Sequence, residues 1–148
     1  MATTTAMCTS FKVELLKGLH DFTTSTGSAF KIALIKSSPA GTYGAASTNY
    51  SDITGNSDEV SGTGYTTAGK ALTNVTPTTS GTTAYADFAD VSWTSASFTA
   101  SAGMIYNTSN SNSAVSLHDF GGDKTVTSGT FTIQFPTADA SNAIIRIA

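Results

Sequence analysis

The chain has 148 residues, 7 Lys+Arg against 10 Asp+Glu, a formal charge of -3, and Ser or Thr at roughly a third of its positions. So few cations, scattered at Lys12, Lys17, Lys31, Lys36, Lys70, Lys124 and Arg146, exclude a nucleic-acid partner, which needs clustered Lys and Arg. The single cysteine, Cys8, excludes an intrachain disulfide, and no apolar run approaches the roughly 20 residues of a membrane span, so no membrane partner is expected.

The length suits one domain covering residues 1–148. Residues 1–9 are small and polar, with neither a basic start nor an apolar stretch. They read as a flexible or partner-held arm rather than a secretory signal. A helix is predicted over 10–19, with Ser10 as N-cap and Phe11, Leu15 and Leu19 forming an apolar stripe at i, i+4 and i+8. Leu16 lies alongside that stripe, and Gly18 and the polar run 23–28 end it. One short helix cannot bury its stripe alone, so it must cover a sheet or a neighbouring subunit.

From residue 28 the period changes from helical to alternating. Residues 30–36 read as a strand with Phe30, Ile32 and Leu34 on one face. Residues 37–64 are the longest weakly patterned stretch, of the kind that is functional or held by a partner. Strands follow at 65–76, 83–93 and 97–106, with Trp93 predicted in the core beside Phe88, Val91, Phe131, Ile133 and Phe135. Residues 107–113 form a turn by composition, across which 114–120 pairs with 97–106; a second turn is expected at 121–124. Residues 125–126, 130–135 and 143–147 complete the strands. The predicted fold is mainly β: an antiparallel β-sandwich or jelly-roll-like domain with one short N-terminal α-helix.

Residues able to carry chemistry are few. His20 falls just past the helix, where a cation suits the C-terminal dipole. His118 adjoins Asp119, yet no nucleophile stands in a recognisable setting, so an enzyme is not expected and no catalytic residue is assigned. Asp119-Phe120-Gly121 spells the kinase metal-binding triplet without any of its companion motifs. Asp87, Asp90, Asp119 and Asp123 do not converge as calcium requires, Asp87 and Asp90 being three apart on a strand; acids at strand ends and turns more simply discourage edge pairing. No metal or cofactor is therefore expected. Tyr43, Tyr50, Tyr65, Tyr85 and Tyr106 could stack sugars, or lie at core margins with hydroxyls reaching water.

Two stretches resemble small virion structural proteins of tailed bacteriophages. One is Ser61-Gly-Thr-Gly-Tyr65 with Ala68-Gly-Lys-Ala-Leu72. The other joins Asp87-Phe-Ala-Asp-Val-Ser-Trp93, Gly103-Met-Ile-Tyr-Asn107, Asp119-Phe-Gly-Gly-Asp-Lys124 and Gly129-Thr-Phe-Thr-Ile-Gln-Phe-Pro136. The helix–strand opening at 10–20 and 30–35 is similar to that group as well. The resemblance implies a virion protein made in the cytoplasm of a bacterial host. Its expected role is capsid decoration (cement), as a homo-oligomer on the major capsid protein. A tail or neck component, or a glycan-binding surface module, is the alternative.

Overall fold

Two long strands carry the molecule, and everything else is laid against their two faces. The computed structural model describes residues 2–148. In chain order the elements are β1 (Ala6–Met7), α1 (Thr9–Leu16), β2 (Phe30–Ile35), α2 (Ser51–Gly55), β3 (Lys70–Ala71), β4 (Asn74–Ser80), β5 (Thr83–Phe88), β6 (Val91–Asn107), β7 (Ser113–Ile133) and β8 (Ile145–Ile147). Strand makes up 47% of the chain and helix 9%, which sets the class as mainly β. The strands form two antiparallel sheets, ordered β1-β7-β6-β2-β3 and β4-β5-β8, and stack as a β-sandwich. No helix among the described residues is long and apolar enough to cross a membrane.

The register explains why β2 reads Phe-Lys-Ile-Ala-Leu-Ile, almost without alternation. Ile32 opposes Ile105 and Gly103 opposes His118, so Phe30, Ile32, Leu34 and Ile105 share one face of the larger sheet. Ala33, Met104, Tyr106 and Leu117 share the other. The first face packs on the smaller sheet, where the Phe30 ring meets Phe88 edge-on at 5.5 Å and stacks on Phe22 at 4.6 Å. The second is covered by residues 37–69, from which Tyr50 stacks on Tyr106 at 4.7 Å. A strand buried on both faces needs an apolar residue at nearly every position. The expected core residues Phe88, Val91, Trp93, Phe131 and Phe135 are buried, and Ile133 packs against them partly exposed.

Several expectations are corrected. The helix spans Thr9–Leu16, not 10–19, and Cys8 rather than Ser10 holds the N-cap position; Ser10 Oγ is buried without a hydrogen-bond partner among the described residues. The helix stops because Gly18 turns left-handed at φ +72°, which lets the Leu19 amide reach back to the Glu14 carbonyl. Only Phe11 of the stripe is fully buried, Leu15 is partly so, and Leu16 and Leu19 face outward.

The arm is not free. Ala6 and Met7 pair with Leu117 and Ser116, Thr4 bonds the Tyr43 carbonyl, and Cys8 is fully buried. Met1 of the arm lies outside the described residues. The predicted strand at 65–76 divides into β3 and the start of β4. The expected turn at 121–124 is a bulge within β7. Ala102 opposes Asp119 while Ala100 opposes Lys124, so the extra residues loop out without reversing the chain.

Candidate functional site

Residues 37–69 have too few apolar side chains to hold themselves down, and two adjacent carboxylates do it instead. Asp58 and Glu59 lie where this segment runs beside β2: Ile35 bridges Glu59, and the Val60 amide donates to the Leu34 carbonyl. Asp58 is fully buried. Its oxygens accept from the Ala40 amide at 2.9 Å, the Gly41 amide at 2.8 Å and the Tyr43 hydroxyl at 2.5 Å, with Lys36 Nζ at 3.2 Å. Burial alone would raise the pKa of this carboxyl; those donors outweigh it and hold it down to about 2. Glu59 accepts from the hydroxyls of Tyr50 at 2.5 Å and Tyr65 at 2.7 Å, and from the Ala68 amide at 2.8 Å. The Tyr65 oxygen in turn accepts from the Leu34 amide at 3.0 Å.

These bonds settle where the tyrosines go. Tyr43, Tyr50, Tyr65 and Tyr106 turn their hydroxyls inward, the last donating to the Ala68 carbonyl at 2.6 Å. Burial raises the pKa of all four, those of Tyr43 and Tyr106 to about 12. The rings of Tyr43 and Tyr106 are buried, Tyr50 stacks one face on Tyr106, and the Tyr65 ring lies 6.2 Å from that of Trp93.

The two histidines differ in exposure. His20, placed just past the helix where a cation would suit its dipole, is buried between Phe11 and Phe30. Asn107 Nδ2 donates to its Nδ1 at 2.9 Å, which leaves Nε2–H to donate to Glu14 Oε2 at 2.7 Å. This chain fastens α1 to the turn between β6 and β7, where Asn107 Oδ1 also accepts from the amides of Ser109 and Asn110. His118 is partly exposed in β7, where it lines a cleft between the sheets; it is bonded to Ser116 Oγ at 2.8 Å, and desolvation holds its pKa down to about 4.

The four aspartates considered for calcium are not brought together. Asp87, read as an acid that discourages edge pairing, is instead buried at the end of β5. Its Oδ1 accepts from the Phe88 amide and its Oδ2 has no partner among the described residues; burial pushes its pKa up. Asp90, in the β5–β6 connection, caps the Phe135 amide at 2.8 Å. Asp119 accepts from the Gly121 amide and Asp123 from Ser37 Oγ, both along the β7 bulge. No group of three or more His, Cys, Asp or Glu among the described residues is placed to hold a metal ion. Cys8 is a buried thiol pushed up to about 12, chiefly by burial, and stays protonated at neutral pH.

Two clefts remain. One, of about 550 Å³, opens between the sheets beside β7 and is lined by Ile32, His118, Phe120, Phe131 and Ile144, with Lys124 among them. The other, of about 430 Å³, lies between the end of α1 and the smaller sheet. Sequence reasoning missed both, and it missed the carboxylate fasteners. The only available signal for the latter was the density of Tyr residues near the Asp58-Glu59 pair. Comparison with known protein families, curated proteins and solved structures finds no match.

Proposed function

We propose that the chain is a bacteriophage virion structural protein, a capsid decoration protein that binds the major capsid protein shell and stabilises it as a homo-oligomer. One observation carries this reading. The carboxylates of Asp58 and Glu59, three tyrosines and His20 are engaged as internal fasteners, while β4 and much of β7 carry an uncharged hydroxyl coat. β4 exposes Thr76, Thr78, Thr79 and Ser80, and β7 exposes Thr125, Thr127, Ser128, Thr130 and Thr132. Cross-strand hydroxyl pairs, Ser92 with Thr132 and Thr99 with Thr125, each at 2.8 Å, stiffen that coat. Such a body presents a rigid surface, and burying part of it across several subunits would raise the free energy of shell disruption by mass action. The similarity of residues 61–72 and 87–136 to small tailed-phage virion proteins supports the same assignment.

The test compares heads assembled with and without the protein, heated or treated with chelator in parallel, with the protein located in purified particles. The decoration reading expects many copies on the head and greater resistance to rupture. Equal resistance, or copies found only at the tail, overturns it in favour of a tail or neck component. Sedimentation at micromolar concentration checks the oligomer.

A further inference from the structure

We propose that the outward face of α1, with the cleft beside it, is the surface by which the protein docks on an acidic, apolar-studded protein surface. Resting on the decoration reading above, that surface is the outside of the capsid shell.

The argument starts from which apolar side chains were left outside. Five large ones are exposed among the described residues: Val13 (50%), Leu16 (91%), Leu19 (45%), Val75 (36%) and Ile147 (57%). Three of them, Val13, Leu16 and Leu19, fall within seven residues on and just after α1, and Ile147 lines the cleft at the end of that helix. Val13 and Leu16 are three apart and share the outer face of α1. Leu19 lies in the chain between Gly18 and His20, which both line the cleft of about 430 Å³, and Ile147 lines it from β8. Leu15, Phe22, Tyr85 and Ile145 continue the apolar lining. An isolated exposed leucine needs no explanation, but apolar side chains grouped around an apolar cleft mark an interaction site.

Charge then selects the occupant. Lys12 and Lys17 are exposed on the same outer face, four before and one after Leu16, and neither has a carboxylate in ion-pair distance among the described residues. The helix's one acid, Glu14, is turned inward to His20 and Asn110. Asp21, which also lines the cleft, is turned onto the Thr23 amide. A chain of net charge -3 thus presents a small cationic face around its most exposed leucine. A second copy is a poor occupant. A two-fold contact would set Lys12 and Lys17 against their own equivalents, and like charges across an interface are costly. A nucleic acid would use only the two cations and leave the leucines in water. A protein surface with carboxylates around an apolar knob satisfies both features.

The test mixes the full chain with shells assembled without it and measures co-sedimentation. It uses wild type, Leu16→Asp/Leu19→Asp, Lys12→Glu/Lys17→Glu and, as a charge control on the β7 bulge, Lys124→Glu. All the substituted side chains are exposed, and each variant's thermal unfolding is compared with wild type first. The leucine pair is expected to weaken binding at least tenfold. The lysine pair should weaken it several-fold and reduce its dependence on salt, while Lys124→Glu matches wild type. Wild type binding with both α1 variants unchanged places the contact elsewhere and overturns this inference while the decoration reading stands. No binding by wild type removes both. A wild-type oligomer that Leu16→Asp/Leu19→Asp converts to monomer shows that a second copy covers the face, and also overturns it.

Discussion

The hydroxyl of Tyr43 donates to the carboxylate of Asp58 over 2.5 Å, and both groups are buried. That bond joins the start and the end of the segment covering the second face of the large sheet. Tyr43 also receives the arm, since its backbone amide donates to the Ala2 carbonyl and its carbonyl accepts from the Thr4 amide. One residue therefore ties the N-terminus, the long segment and the sheet together.

Tyr43→Phe keeps the ring and removes the donor to a buried carboxylate. The expected loss is about 1.5–3 kcal/mol, the range for hydrogen bonds to charged groups. Asp58→Ala leaves the Ala40 and Gly41 amides and the Tyr43 hydroxyl without their acceptor, while Lys36 keeps the Ser57 carbonyl, and at about 1–3 kcal/mol per stranded donor it is expected to cost more than Tyr43→Phe. Urea unfolding followed by Trp93 fluorescence reads both. A Tyr43→Phe effect below about 0.5 kcal/mol would show the bond to be replaced by water.

Acid should destabilise the fold in two windows. His118 titrates near 4 when folded against 6.5 when free, because burial disfavours its charged form. The unfolded chain then binds more protons between those values, so stability is full above pH 6.5 and falls as pH drops toward 4. Asp58 has the depressed pKa of a well-held carboxylate, so its contribution is full above 3.8 and falls toward 2. Melting temperatures from pH 8 to 2 check this. His118→Gln should flatten the upper window alone, and a His118→Gln profile with the same slope as wild type from pH 7 to 4.5 contradicts the assignment.

Asp87 acts in the opposite sense. Its folded pKa is raised by burial, so the folded state keeps the proton longer and stability falls as pH rises above 3.8. At neutral pH it is a buried carboxylate held only by backbone amides, Phe88 on Oδ1 and a longer approach of Ile144, with no cation beside it among the described residues and with Asp90 and Asp139 nearby. Asp87→Asn preserves the acceptor for the Phe88 amide and removes the charge. The variant is expected to melt above wild type at pH 7, with the gap closing near pH 3. A lower melting temperature at pH 7 would mean that the ionised form is held by something other than the described side chains.

What was legible in the sequence was whatever alternates. Phe131-Thr-Ile-Gln-Phe135 announced its inward and outward positions, and Trp93 was placed in the core from the same pattern; it is 3% exposed. Trp93→Ala is accordingly expected to cost about 3–5 kcal/mol in equilibrium unfolding. A value near zero would contradict a buried indole packed against Phe98 and Phe131. The helix was seen but drawn too long, because Leu19 fits a helical stripe that Gly18 in fact interrupts. The segment 37–69 was illegible because its fold comes from hydrogen bonds, not periodicity. Nothing local marks Asp58 as the acceptor for Ala40, Gly41 and Tyr43, 15 to 18 residues earlier. The turn expected at 121–124 failed because Gly-Gly signals a departure from regular strand, and a bulge satisfies it as well as a reversal does.

The seating of that segment on β2 depends on Gly69. Its φ is +73°, and a Cβ there would lie 2.0 Å from the Ile32 carbonyl oxygen and 2.6 Å from its carbon. Both are backbone atoms of a central strand and cannot swing aside. Next to it, the Ala68 amide donates to Glu59 and the Ala68 carbonyl accepts from Tyr106, so displacing Gly69 breaks both bonds. Gly69→Ala therefore combines a left-handed backbone penalty of about 1–2 kcal/mol with the cost of lifting the loop off the strand. The total is expected to exceed about 3 kcal/mol, with greater exposure of Tyr65 and Tyr106 to solvent. Gly55→Ala is the matched control, since a Cβ there meets nothing within 4 Å and the backbone is not left-handed. It should be neutral or stabilise by about 0.4–1 kcal/mol through the unfolded chain. If the two substitutions differ by less than about 1 kcal/mol in urea unfolding, residues 61–69 do not rest on β2 and the Glu59 cluster does not fasten them there.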